Sequence, residues 1–228
     1  MTSPKRTAIR SAQAITDRVY REILTELRAG VTERSIAKRL EERGQELGAN
    51  RPAFPFIVGS GPNGAEPHAV PGRRKLTRGD LVVLDFGFVV GGYHSDMTRM
   101  VSIGQPSKQS QEIYNLVLRA QRAAIRKVRA GITGREVDAA ARDLIAAAGY
   151  GGRFIHTTGH GIGRQIHQYP RISPRRGGGQ RLKAGEFITI EPGIYLPGKL
   201  GVRIEDMVLV TETGREILTK SPRRLAIV

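Results

Sequence analysis

Leu76-Thr-Arg-Gly-Asp-Leu-Val-Val-Leu-Asp85-Phe-Gly87 is answered 106 residues later by Leu182-Lys-Ala-Gly-Glu-Phe-Ile-Thr-Ile-Glu191-Pro-Gly193. Each stretch carries a Gly turn, an acidic residue, a run of strand formers, and a carboxylate at the strand's end ahead of a second Gly. Asp85 and Glu191 occupy the same position of this repeat. A carboxylate that ends an apolar strand is costly to bury unless a cation meets it, so its duplication points to a shared metal site.

The repeat extends upstream. Arg28-Ala-Gly-Val-Thr32 is matched by Arg129-Ala-Gly-Ile-Thr133. In both, Gly ends one helical pattern and Thr can cap the next, and the second copy adds Glu136 to complete a capping box. Each half therefore reads helix, Gly turn, helix, then paired strands. Helices are expected near 6–29, 32–48, 107–130 and 133–148. A period of about 100 residues is too long for a solenoid and indicates duplicated half-domains, about 4–104 and 105–228. Together they would form one domain covering 1–228.

At 228 residues and 39% hydrophobic content, the chain can bury a good core. No apolar run approaches the length of a membrane span, and no signal-peptide core follows the N-terminus, so a cytoplasmic location is the expectation. The absence of cysteine excludes disulfides, thiolate catalysis and thiolate metal sites. Any metal must be held by His and carboxylate, which suits hard or borderline ions. The net charge of +16 raises nucleic acid as a partner. The basic residues are dispersed, however, and without interleaved aromatic platforms they read better as solvated helix faces and loops.

The chemistry lies in the strands. Leu81–Val90 is expected to run up, Gly91-Gly92 to turn, and Tyr93–Val101 to return. A turn about Val90–Gly91 would set Asp85 opposite Asp96, at about 4.5–5.5 Å between Cβ atoms. In the second hairpin, Glu186–Tyr195 and Gly201–Val210 flank Pro197-Gly198. Glu191 faces Glu205 if the turn centres on Gly198, or Asp206 if the register shifts, and pairing arithmetic does not choose between them. Four convergent carboxylates, about −4 in charge, match two divalent cations about 3.5–4 Å apart. Histidines His68, His156, His160 and His167 flank these segments, with His160 inside Thr157-Thr-Gly-His-Gly-Ile-Gly163.

His160-Gly-Ile-Gly163, Glu191-Pro-Gly-Ile-Tyr195 and Gly201-Val-Arg-Ile-Glu-Asp206 together resemble the pita-bread metallopeptidases, the family of methionine aminopeptidases, Xaa-Pro aminopeptidases and prolidases. Asp85-Phe-Gly87 and Tyr93-His-Ser-Asp-Met-Thr-Arg99 are similar to its proline-specific branch. The resemblance implies an α+β pita-bread fold, with two pseudo-twofold helix-helix-hairpin halves around a curved, mostly antiparallel sheet. It implies metal ligands Asp85, Asp96, His160, Glu191 and Glu205, with Asp96 and Glu205 as bridges, and so selects Glu205 over Asp206. Asp206 would face away and tolerate replacement better. His68, His156 and His167 would assist proton transfer and hold the oxyanion, Glu191 would shuttle a proton, and Arg203 would order the ligands or meet a substrate carboxylate.

The cofactor implied is a pair of divalent metal ions, manganese in the first instance, with cobalt or zinc as alternatives. The activity implied is release of the N-terminal residue from peptides with proline at the second position, through a metal-bridging hydroxide, by a homodimer. The separate N-terminal domain usual in proline-specific relatives, which helps close the site and form the dimer, is expected to be missing. Gln168 also stands after His167 where such relatives usually have an acid. The alternatives are a methionine aminopeptidase and a non-catalytic pita-bread protein that binds nucleic acid or protein.

Overall fold

A computed structural model describes residues 3–228. The first half comprises α1 (Pro4–Ile23), α2 (Glu33–Glu46), β1 (Arg51–Pro52), β2 (Ile57–Ser60), β3 (Leu81–Phe86), β4 (Phe88–Val90), β5 (Tyr93–His94) and β6 (Met97–Ser102). The second comprises α3 (Lys108–Lys127), α4 (Gly134–Ala147), β7 (Gly159–Gly161), β8 (Gln168–Ile172), β9 (Phe187–Ile190), β10 (Gly193–Leu196), β11 (Leu200–Arg203), β12 (Asp206–Val210), β13 (Arg215–Ile217) and β14 (Ala226–Ile227). The four helices fall where the periodicity placed them, except that α1 stops at Ile23, short of 29. Beyond it the Thr25 hydroxyl donates to Glu22 O and the chain turns toward the sheet.

The sequence repeat is a repeat of hydrogen bonds. Gly30 N donates to Leu76 O at 2.9 Å, and Gly131 N to Leu182 O at 2.8 Å. Leu76 N and Leu182 N return bonds to Val31 O and Ile132 O, each at 2.8 Å. Thr77 N meets the Asp80 carboxylate, and Lys183 N the Glu186 carboxylate, both at 2.8 Å. Gly79 and Gly185 share φ +90°, which only Gly adopts without strain. The acidic residue of the repeated motif is therefore a turn clamp, distinct from the strand-end carboxylate. Thr32 and Thr133 cap α2 and α4, the latter with the full capping box to Glu136.

A four-stranded sheet runs β14-β6-β3-β2 and a five-stranded one β13-β12-β9-β7-β8, with short pairs β1-β4-β5 and β10-β11. All pairing is antiparallel except β6 with β14. Strand β3 explains why the decisive motif is apolar throughout rather than alternating. Val82, Leu84 and Phe86 pack under α1 and α2, with Phe56 and Phe88. Leu81 and Val83 pack toward α3, α4, Ile188 and Val202. Asp85 shares a face with Leu81 and Val83, so it points at the other half of the molecule.

The halves meet closely. A Cβ at Gly201 would lie 1.9 Å from Gly64 O, so only Gly fits this approach. Glu33 at the start of α2 is fully buried and accepts bonds from Ser60 N, Ser60 Oγ, Asn63 Nδ2 and Gly72 N. It holds the 60–72 loop, which carries His68. Asp206 accepts from Arg99 Nη2 at 2.7 Å, from Gln121 Nε2 at 2.6 Å and from Arg223 Nε. Its side chain faces away from the carboxylate cluster and neutralises a fully buried guanidinium. Asp206→Ala is expected to cost about 3–5 kcal/mol of folding free energy, measured by urea denaturation. A loss below about 1 kcal/mol would contradict this reading of the pair.

Candidate metal centre

Both hairpins stop pairing at candidate ligands, the first at Asp96 and the second at Glu191 and Glu205. In the first, the turn is Gly91-Gly92 with both φ values positive, +56° and +78°, as a two-residue hairpin turn requires. Its centre lies one residue beyond the expected one, so Asp85 opposes Thr98 rather than Asp96. Asp96 falls opposite Gly87, where the ladder is broken. A Cβ at Gly87 would lie 1.9 Å from Ser95 O, and Phe88 N and Ser95 N are satisfied by Ser95 Oγ and Phe88 O. The second hairpin centres on Gly198, pairing Gly193 with Arg203 and Ile190 with Asp206. That register sets Glu191 against Glu205, the pairing the strand arithmetic left open. Both residues lie in the gap between β9 and β10 and between β11 and β12.

Free of the ladder, these backbones bond elsewhere, Glu205 across the halves and Glu191 to the strand that carries His160. Glu205 N donates to Thr98 O at 3.2 Å and Glu191 N to Thr158 O at 2.7 Å. The third element is β7, whose register shifts between His160 and Gly161. Asp96, His160 and Glu205 each offer a ligand atom, all within 4.8 Å of one another, and all three residues are buried. His160 Nε2 is 3.2 Å from Glu191 Oε1 and 3.7 Å from Asp96 Oδ2. Asp85 joins through Arg203, whose Nη2 donates to its Oδ2 at 2.5 Å.

This arrangement calls for positive charge. Burial, then repulsion from Asp85 and Glu191, pushes the Asp96 carboxyl well above its usual range. Burial, then Asp96 and its neighbours, does the same to Glu205. Burial raises Asp85, with Arg203 opposing. Glu191 goes the other way: burial would raise it, but the hydrogen bond from His160 and nearby cationic groups pull it down to about 2. Asp85 Oδ1 and Glu205 Oε1 are buried without a hydrogen-bond partner. His160 Nδ1 lies 3.0 Å from Gly161 O, which leaves Nε2 as the nitrogen turned toward Asp96 and Glu191. Orphaned carboxylate oxygens beside an imidazole nitrogen are a fitting donor set for hard or borderline divalent cations.

The other expected residues divide by position. His167 and His68 are exposed, and the His167 ring stands edge-on to His160 at 4.4 Å between centroids. Partial burial and His160 lower the His167 pKa. His156 Nδ1 donates to Thr157 O, so its Nε2 accepts from the Tyr195 hydroxyl, both at 2.8 Å. Burial lowers the pKa of this imidazole. Arg203 is 3% exposed and is spent inside the protein, on Asp85, the Tyr195 hydroxyl at 2.7 Å, Thr98 Oγ1 and Pro67 O. Of its two expected roles, the geometry supplies the ordering of ligands and leaves no guanidinium edge turned to a substrate carboxylate.

Sequence reasoning passed over Tyr195, which joins Arg203 to His156, and Thr98, whose hydroxyl donates to Glu205 Oε2 at 2.9 Å. Thr98 was visible only as the residue two beyond Asp96, on the same strand face.

A model of metallopeptidase family M24 matches residues 7–212. The chain belongs to this family. Over 217 residues it is 44% identical to an Xaa-Pro dipeptidase of Pyrococcus furiosus, covering 95% of this chain and 62% of that protein. The solved Xaa-Pro dipeptidase of Bacillus anthracis superposes with a TM-score of 0.97 at 44% identity, covering 100% of this chain and 63% of that one. The X-Pro aminopeptidase of Thermotoga maritima superposes at 0.96 and 42% identity, over 100% of this chain and 64% of that one. The chain thus spans about 62% of the length of the curated relatives it matches. The pita-bread fold expected from the motifs is the fold of this M24 chain.

Carboxyls raised by burial and mutual repulsion carry protons that cations must displace. Above the ordinary carboxylate range the metal-free fold holds protons that the unfolded chain has shed, so these groups cost stability as pH rises. The depressed Glu191 has the opposite sign, and its contribution is lost only as pH falls toward about 2. Divalent-cation binding near pH 6 is therefore expected to release protons. Titration calorimetry in buffers of differing ionisation enthalpy measures this. Binding without proton release would contradict the raised carboxyls.

Proposed function

We propose that this chain is the catalytic part of a metal-dependent exopeptidase that removes the first residue from Xaa-Pro peptides. The observation that carries the proposal is the meeting of Asp96 and Glu205, at the breaks of the two hairpins, with His160 of β7, all within 4.8 Å. Asp85, Asp96, His160, Glu191 and Glu205 would hold two divalent cations, with manganese the first to test and cobalt and zinc next. Bound there, such cations supply charge that polarises a scissile carbonyl and acidifies water.

The chain's own groups supply the rest. Glu191, anionic across the neutral range, is the acceptor for the attacking water's proton. It returns that proton to the leaving nitrogen, which an Xaa-Pro bond requires because proline leaves as a secondary amine lacking an N–H in the substrate. His167 and His68, at the open edge of the cluster, can donate N–H bonds to the developing oxyanion. His156 is oriented by Thr157 O and Tyr195 and shapes the wall beside them. The substrate's free amine, a cation, is drawn to the carboxylates, and this restricts cleavage to the N-terminus. Arg203 and Thr98 hold Asp85 and Glu205 in place.

The relatives named Xaa-Pro dipeptidase and X-Pro aminopeptidase support proline specificity. A homodimer and a cytoplasmic location remain part of the proposal. Among the described residues no helix is long and apolar enough to cross a membrane. After reconstitution with manganese, cobalt or zinc, Xaa-Pro-Xaa peptides should lose their first residue with kcat/KM at least about tenfold above matched Xaa-Ala-Xaa peptides, a difference of about 1.4 kcal/mol. Equal cleavage of both, or cleavage confined to N-terminal Met, would overturn proline specificity.

A further inference from the structure

Between Asp143 and Glu186 the chain runs 42 residues, 144–185, without a carboxylate. Average composition, 21 acids in 228 residues, would place about four there. The same run carries seven basic residues, Arg153, Arg164, Arg171, Arg175, Arg176, Arg181 and Lys183, and it supplies His156, His160 and His167. The segment that supplies three of the site's histidines is thus basic and free of acids.

A cavity of about 340 Å³ adjoins His156, lined by Arg142, Phe154, Thr157, Ser173 and Arg175. That volume accommodates one amino-acid side chain with its hydration. Arg142 is committed: its guanidinium pairs with Asp138 at 2.8 Å, stacks on Phe154 at 4.0 Å and donates to Phe154 O and His156 O. Asp138, the nearest carboxylate, is in turn spent on Arg142 and the Thr158 hydroxyl. Arg175 is different. Its side chain is exposed and, among the described residues, makes no ion pair. Its backbone N is tied to Ser173 Oγ at 3.1 Å, which holds the residue at the cavity rim.

We infer that this cavity is an anion subsite in which Arg175 receives the side-chain carboxylate of the residue after the proline, so that the site favours acidic peptides. The inference rests on the peptidase reading above. With the substrate's amine drawn to the carboxylate cluster, the downstream residues are proposed to run past His156, the one site histidine that lines the cavity. A guanidinium meets a carboxylate through paired N–H bonds, and Asp138, the carboxylate bonded to the cavity's lining, is already paired with Arg142.

The test compares kcat/KM for Xaa-Pro-Glu, Xaa-Pro-Gln and Xaa-Pro-Lys. For the unaltered protein the Glu peptide is expected to exceed the Lys peptide about tenfold at low ionic strength, with the ratio shrinking as salt is raised. Arg175→Glu should invert that order. Arg181→Glu makes the same charge change on a side chain that bonds Gly131 O and does not line the cavity, and it should preserve the order. Equal rates for the three peptides, or an equal loss of preference in both variants, would overturn the subsite. Should none of the peptides be cleaved, the peptidase reading fails on its own. The same ranking is then read from the affinities of the intact peptides by calorimetry, where equal affinities refute the subsite.

Discussion

The architecture turns on one electrostatic constraint: carboxylates from two hairpins are buried against one another. Asp96, Glu191 and Glu205 all stand in ladder breaks, and Asp85 stands two residues before the break at Gly87. A strand in register fixes its side chains perpendicular to the sheet. A broken strand can aim them, and here the freed amides are taken up by Thr98 O and Thr158 O. Gly87 and the Gly91-Gly92 turn make the first break, and the Glu191-Pro192-Gly193 segment makes the second. The interruption of regular structure is what assembles the site.

Around this cluster the protein spends its other buried charges on support. Arg203 links Asp85 to Tyr195 and so to His156. Arg99 binds Glu205 O, Asp206 and the backbone at Ser221 and Pro222, tying the strand that carries Asp96 to the strand after Glu205 and to the C-terminal segment. Asp17 accepts from Ser221 N and Oγ and closes that segment onto α1. Two arginines of opposite duty result, one ordering the ligand side chains and one ordering the backbone beneath them.

Much of this was legible in the sequence because it is written twice. The matched Gly-Thr and Leu-x-x-Gly-acid motifs exposed the half-domain repeat, and the strand-end carboxylates exposed the cluster. In the first hairpin the expected turn centre, Val90–Gly91, lies one residue short of the observed centre between Gly91 and Gly92, and that shift moves the partner of Asp85 by two residues, from Asp96 to Thr98. Tyr195 and Thr98 went unnoticed because their partners lie 39 and 107 residues away, a separation that no local pattern reports. The repeat also hides its own asymmetry. Glu33, which clamps the His68 loop, corresponds to Gly134, where a Cβ would lie 2.0 Å from Arg171 O. There one half needs an anion and the other needs room, and each serves a different loop of the site.

The central claim is that the repeated carboxylates exist to share cations, and metal stoichiometry tests it most directly. Equilibrium dialysis against manganese followed by elemental analysis should find two equivalents per folded chain, falling below one in Asp96→Ala and in Glu205→Ala while circular dichroism stays unchanged. Two equivalents retained in both variants, or no manganese, cobalt or zinc bound by the unaltered chain, would contradict it.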